Sequence, residues 1–265
     1  GNTRTRDNVI RREFRLKEGD LFDGEKLKRS KQRINNTNFF EDVKIDTKRG
    51  KDPEEVDLVT TVTEKPTGSV SVGAGYSSIE NVIFTGSISQ NNLLGTGQKL
   101  VFSTAMSSLR NSYNLSYTEP RLFDSEVLGG ADIFRRQMNY FSFSSVTDGG
   151  GVRLGKNLGE YDWAGLNYRA ENVTVSNVLE GTETPFLFNG TRHTSRVTPS
   201  YIHDTRDDFL NPTRGWRHVA RFEIAGGVLG GLDFYRTGYE VTYYHPLVAK
   251  FVGAIHAEVN YAVGY

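Results

Sequence analysis

SVSVGAGY, residues 69–76, is the stretch whose reading decides the fold. Val70, Val72, Ala74 and Tyr76 fall on one side of an extended chain, and Ser69, Ser71, Gly73 and Gly75 fall on the other. Side chains alternate across a strand, so a period of two marks a sheet with one apolar and one polar face. The same grammar returns downstream. Tyr113, Leu115 and Tyr117 oppose Ser112, Asn114 and Ser116, and Tyr235, Tyr239, Val241 and Tyr243 oppose Arg236, Glu240 and Thr242. The last run reads as the longest, with Phe251, Ile255, Ala257, Val259, Tyr261 and Val263 against His256, Glu258 and Asn260. Alternation sustained over about ten residues suits a transmembrane β-strand. A soluble sandwich also alternates, but its strands are usually about five to six residues long. From Thr67 onward the pattern predicts about eleven antiparallel strands and no helix.

The connections between these strands sort into two sets. Residues 91–97, 119–125, 157–160, 204–215 and 246–249 read as mostly compact turns, whereas 139–149 and 176–191 read as longer loops. Bacterial barrels have short periplasmic turns and longer extracellular loops. The chain before Thr67 leads in on the short-turn side, which places it in the periplasm. In DTRDDFLNPTRGW (204–216), Pro212 fixes one backbone angle, Gly215 can supply a positive one, and the Asp side chains can accept from local N–H groups.

Composition allows this reading. The 265 residues carry 32 Lys plus Arg and 32 Asp plus Glu, and that balance argues against a nucleic-acid binder. No apolar run is long enough for a transmembrane helix. A mean hydropathy of −0.49 does not exclude a barrel, whose apolar residues are hidden in alternation. Absence of Cys rules out thiolate metal sites and disulfides. GNTRTRDNVI lacks the apolar core of a signal peptide and reads as the interior of a longer protein.

Residues 1–65 differ from 66–265 in pattern. Asp7 is expected to cap a short helix carrying Val9, Ile10 and Phe14, and Asp23 a second one with Leu27 and Ile34 on one face. Two strands follow, VKIDT (43–47) and VDLVTTVTE (56–64), joined by a turn containing Gly50 and Pro53. The second helix carries Lys26, Lys28, Arg29, Lys31 and Arg33, which form either a solvated face or a docking surface for an acidic protein.

Catalytic and metal signals are weak. The five histidines lack HExxH spacing, and His203 beside Asp204 has no GxSxG nucleophile for company. Asp204, Asp207 and Asp208 lack the EF-hand pattern and read better as turn residues. GTGQK (95–99) fails the P-loop spacing. No catalytic residue, metal site or cofactor is expected.

Five motifs carry a family resemblance: GNTRTRDNVIRREF with RINNTNFFEDVKI (33–45), EKPTGSVSVGAGYSS (64–78), NNLLGTGQ (91–98), YTEPRLF (117–123) and DTRDDFLNPTRGW. In this order they resemble the BamA family of surface-antigen outer-membrane proteins. The resemblance implies an α+β POTRA domain over 1–65, of β-α-α-β-β order with its first strand before Gly1. It implies a membrane all-β antiparallel barrel from residue 66, with about eleven of roughly sixteen strands present. The expected function is assembly and insertion of β-barrel proteins, without enzymatic activity. Expected partners are unfolded outer-membrane proteins, periplasmic accessory lipoproteins and outer-membrane lipids. Alternatives are a related POTRA-barrel polypeptide transporter and a passive pore. The first strand, Ser69, Val70, Ser71, Val72, Gly73, Ala74, Gly75 and Tyr76, is the expected pairing edge at a lateral seam. Gly68, Gly73 and Gly75 either weaken its hold on a neighbour or only permit bending and close packing. If backbone groups carry recognition, alanine at Ser71 should be mild and proline at Ser71 disruptive.

Overall fold

The computed structural model describes residues 2–50, 52, 55–182, 184, 187, 189–248 and 251–264. Two compact units emerge: residues 1–71 with 87–101, and residues 72–86 with 102–265.

The first unit begins with helix α1 (Asp7–Arg11), followed by α2 (Gly24–Asn36) and the paired strands β1 (Phe40–Arg49) and β2 (Val56–Glu64). Asp23 caps α2 as the sequence predicts, accepting from the N–H groups of Glu25 and Lys26. Those bonds, the Lys26 one foremost, hold the Asp23 carboxyl below its ordinary value. Asp7 does not cap α1. Arg6 occupies the cap position without a side-chain bond, and Asp7 is the first helical residue, where its charge still favours the helix dipole. The core is Val9, Ile10, Ile34, Phe39, Phe40, Val43 and Val62, with Phe14 and Ile45 partly buried against it. Gly50 turns the chain by donating to the Glu55 carbonyl, while Pro53 lies outside the described residues.

Eleven further strands follow Thr67. They are β3 (Gly68–Ser77), β4 (Asn81–Leu93), β5 (Gln98–Met106), β6 (Arg110–Glu119), β7 (Val127–Asn139), β8 (Ser144–Asn157), β9 (Asp162–Ser176), β10 (Gly190–Asp204), β11 (Gly215–Ala225), β12 (Phe234–Pro246) and β13 (Val252–Gly264). They form one sheet in strict chain order from β3 to β13. Among the described residues it stays open, with β3 and β13 as its terminal strands. Short 3-10 turns at Leu122–Asp124 and Gly227–Leu229 are the only other helical elements described after Thr67.

The structure departs from the sequence pattern in three places. Residues 144–149 are strand, so the expected loop at 139–149 shrinks to 140–143. The stretch SSVTDGGG is polar and Gly-rich, but its backbone groups pair with β7 and β9 on both sides. The remaining loops of that set include 78–80 and 107–109, so loop length does not separate the two ends of the sheet. The last strand is also not the longest, since β9 and β10 each have 15 residues against 13 for β13.

The first unit yields a pH prediction. Glu64, at the end of β2, receives the N–H groups of Thr3 (2.9 Å), Arg4 (3.0 Å) and Thr5 (2.6 Å), and the Thr3 hydroxyl (3.0 Å). Partial burial alone would raise this carboxyl, but the bonds from Thr3, Thr5 and Arg4 outweigh it and bring the group from 4.5 down to about 2. A depressed carboxyl stabilises the fold above its ordinary value and loses that contribution as pH falls toward its folded value. Glu64→Gln should therefore loosen residues 3–5 by about 1–2 kcal/mol at pH 7, allowing for the water that still reaches the group. Amide exchange at Thr3–Thr5 in the full-length protein would report this. The gap from the unmodified protein should close between pH 4.5 and about 2.

Candidate functional site

The candidate site is β3 and the structure around its start. Register between β3 and β4 follows from three contacts: Asn91 N–H to Thr67 O (3.0 Å), the Ser69–Ser89 hydroxyl pair (2.8 Å), and Thr85 Oγ1 to Gly73 O. Directly opposed residues in an antiparallel pair alternate between exchanging hydrogen bonds and not. The Thr67–Asn91 bond therefore assigns the backbone groups of Ser69, Ser71, Gly73 and Gly75 to β4. Those of Gly68, Val70, Val72, Ala74 and Tyr76 point away from β4. Ser71 thus sits at the wrong phase to test that side, because proline there would break the bonded side. The glycines also divide. A Cβ on Gly73 would meet Thr85 Oγ1 at 2.7 Å, so this glycine permits close packing, while Gly75 has nothing within 4 Å.

At the foot of β3, the segment Thr3–Arg6 is held from two directions. Glu64 binds it on one side. On the other, buried Asn92 donates to Thr5 Oγ1 (2.8 Å) and accepts from Gly97 N–H (2.7 Å), while Arg6 N–H donates to Gly95 O (2.9 Å). NNLLGTGQ is therefore a turn that packs on the segment as well as reversing the chain. The reading of the sequence missed Glu64, Thr5 and Asn92, because their meeting joins stretches distant in sequence.

The expected docking cations lie on α2. Lys26, Lys28, Arg29 and Lys31 are exposed. Arg33 stands apart: it is half-buried and gives Glu13 two bonds of 2.9 and 3.0 Å. That geometry ties α2 to the chain after α1 and makes Arg33 structural.

The second unit reverses the burial of a soluble protein. On β7, Asp132 has a side chain 11% exposed while its neighbour Ile133 is 62% exposed. On β12, Glu240 and Tyr239 repeat the contrast at 19% and 48%. The apolar face is the exposed one, as a lipid-facing sheet requires. The polar face is cross-linked by ion pairs running between strands. Asp132 meets Arg153 (3.2 Å) and Arg169 (3.7 Å), and Arg217 meets Glu240 (2.7 Å). Arg196 joins Glu171 (2.9 Å) to Glu223 (3.7 Å), which Arg236 also holds (2.6 Å). The recurrence of charge on the polar sides was visible in sequence, but the partners lie on neighbouring strands.

Arg196 offers a quantitative check. Its loss leaves the half-buried Glu171 carboxylate without its ion-pair partner while Glu223 keeps Arg236, and removing one member of a buried pair is far costlier than removing an exposed one. Arg196→Gln should lower stability by about 1–3 kcal/mol, with the buried-pair figure reduced for partial exposure. Arg135→Gln, from a much more exposed pair with Asp148, should cost less than about 1 kcal/mol. Urea unfolding of the full-length protein in micelles would compare them, and equal midpoints would remove the network's assigned weight.

The 204–216 turn uses its acids locally. Asp207 accepts from Thr213 N–H (2.9 Å), Arg214 N–H (3.1 Å) and the Thr213 hydroxyl. Asp208 accepts from Leu210 and Asn211 N–H groups (2.7 and 2.8 Å), and Asp204 binds Arg206. The Thr213 hydroxyl, then the Thr213 and Arg214 N–H groups, hold the Asp207 carboxyl well below the ordinary range. Gly215 has φ +113, as the turn demands. His203 bonds Asp162 (2.7 Å) rather than Asp204.

A family model described as the Omp85 superfamily domain matches residues 92–265, and one described as the surface antigen variable number repeat, POTRA, matches residues 1–65. The outer membrane protein assembly factor BamA of Nitratidesulfovibrio vulgaris is 33% identical over 254 residues, covering 95% of this chain and 32% of that protein. Its counterpart in Neisseria meningitidis serogroup B is 30% identical over 294 residues, covering 100% of this chain and 36% of that protein. Among solved structures, BamA from Haemophilus ducreyi lacking POTRA domains 1–3 gives a TM-score of 0.80 at 23% identity, covering 98% of this chain and 53% of the other. That last likeness concerns the fold alone. The chain spans about a third of the length of the curated relatives it matches.

Proposed function

This chain belongs to the Omp85 superfamily, and we propose that it serves the assembly and insertion of β-barrel proteins into the bacterial outer membrane. In this reading residues 1–65 form a periplasmic module and residues 66–265 the first part of the membrane barrel. Unfolded outer-membrane proteins are the substrates. An accessory periplasmic lipoprotein with an acidic surface docks on Lys26, Lys28, Arg29 and Lys31.

The observation that best supports the reading is the register with β4, which directs alternate backbone groups of β3 away from β4, toward the side where a further strand would pair. A strand entering lipid by itself leaves its N–H and C=O groups unsatisfied, at several kcal/mol each. A preformed edge removes that barrier by accepting the strand into its ladder. β3 is suited to this because Val70, Val72, Ala74 and Tyr76, whose backbone groups point away from β4, carry exposed apolar side chains, while its other groups stay bonded to β4.

The test uses full-length protein in liposomes with an unfolded barrel substrate. Single cysteines at Val70 and Val72 are paired with cysteines along the substrate's strands. Crosslinks that move together, two residues at a time and in antiparallel sense, are the expected result. Insertion that proceeds without any such crosslink would exclude β3 as the receiving edge. Release of substrate across the bilayer without insertion would favour the polypeptide transporter.

A further inference from the structure

The register between β3 and β4 also sorts the faces of β3. Val70 lies opposite Ile88 on one face, and both are exposed, at 71% and 57%. Toward the start of β3 the same face continues as Gly68 opposite Gln90, then Pro66 opposite Asn92. Here the aliphatic wall ends, and a cleft of about 470 Å³ opens. Arg4, Lys65, Thr67 and Gln90 are among its lining residues.

The polar floor of this cleft is already satisfied. Asn92 and Thr5 bond each other, Gln90 accepts from the Thr67 hydroxyl, and the Glu64 carboxylate is taken up by Thr3, Arg4 and Thr5. Its cations are not. The Arg4 guanidinium is exposed and has no partner among the described residues; only its backbone N–H is used. Lys65 spends one of three donors on Asn38. Two positively charged residues, Arg4 and Lys65, thus contribute to the lining of a cleft beside a single carboxylate, Glu64, at the foot of an exposed aliphatic wall.

We propose that this cleft holds the phosphate of a phospholipid headgroup whose acyl chains lie along Val70 and Ile88. The wall calls for hydrocarbon, and the cations below it call for a single anion at the polar boundary. The volume suits a headgroup. A peptide strand would approach along the edge of β3, whereas the cleft lies on its face. The proposal rests on the membrane-barrel reading and is independent of insertion activity.

Native mass spectrometry of the full-length protein in micelles, titrated with phosphatidylglycerol, tests it. Arg4→Gln with Lys65→Gln should weaken retention of the tightest-bound lipid by about fivefold per cation removed. Arg4→Lys should retain it, and Arg4→Gln alone leaves the backbone bond to Glu64 in place, which separates lipid loss from misfolding. Millimolar inorganic phosphate should not displace the lipid. Equal retention by the double variant, displacement by inorganic phosphate, or displacement by a short peptide with a free carboxylate would each overturn the site. A protein that keeps its lipid but fails to insert substrates would count against the assembly function alone.

Discussion

Val72→Pro in the full-length protein is expected to reduce substrate insertion by roughly ten- to a hundredfold while leaving the barrel folded, the rate equivalent of one buried backbone group left unsatisfied at about 1–3 kcal/mol. Val72 is 85% exposed, and its N–H belongs to the set facing away from β4. Proline is tolerated in a strand where the lost N–H faces outward. The β4 ladder therefore survives, but an incoming strand finds a missing donor and a ring in its path. Val72→Thr keeps the donor and a branched side chain, so it should insert substrates near the normal rate. Ser71→Pro is the informative contrast. It removes a donor that β4 uses, so it should lower barrel stability as well as activity. Insertion kinetics and heat-modifiable mobility, read together, distinguish the cases. A folded Val72→Pro protein working at full rate would refute recognition through the edge.

The contrast between Val72 and Ser71 shows what a sequence can and cannot tell. Alternation in SVSVGAGY is local, and it assigned Val70, Val72, Ala74 and Tyr76 to one face without reference to any neighbour. Which backbone groups face outward depends on register with β4, fixed by contacts such as Asn91 to Thr67. No property of residues 69–76 contains that information. The same limit explains residues 144–149. Polar and glycine-rich sequence lacks an alternation signal, yet Gly149 lies where a Cβ would approach the Ala170 carbonyl oxygen on β9 at 2.8 Å. Neighbouring strands, not intrinsic preference, make that stretch a strand.

Within the first unit, the balance is similar. The Asp23 cap was legible because its partners are two and three residues away. Asp7 failed because Arg6 already supplies the extended cap backbone, φ −69 and ψ 146, and leaves Asp7 inside the helix. Glu64 and Asn92 were invisible as partners of Thr3–Thr5, although each sits in a motif that carried the family resemblance. The motifs identified the family, but their mutual contacts give those residues their physical purpose.

Gly95→Ala should be the most damaging single-methyl change at this junction. Gly95 has φ +72, and a Cβ there would fall 1.8 Å from the Arg4 carbonyl oxygen. The obstacle is backbone, so a side-chain rotation cannot relieve it. Residues 4–6 or the turn must move, which breaks the Arg6 to Gly95 hydrogen bond and pulls Thr5 from Asn92. The expected cost is about 2–4 kcal/mol, within the range for substitutions that combine backbone strain with lost buried bonds. Gly19 supplies the control, because its φ is +88 but no atom lies within 4 Å of the added Cβ. Gly19→Ala should therefore show only the conformational cost, about 1 kcal/mol. In full-length protein, the Arg6 amide should exchange roughly thirty- to several-hundredfold faster in Gly95→Ala, the rate equivalent of that cost under fast-reclosing conditions. Gly19→Ala should leave the Arg6 amide unchanged. If the two variants gave the same Arg6 exchange rate, Gly95 would be answering only to its own backbone angle. The turn would then not clamp the periplasmic segment at the base of the first strand.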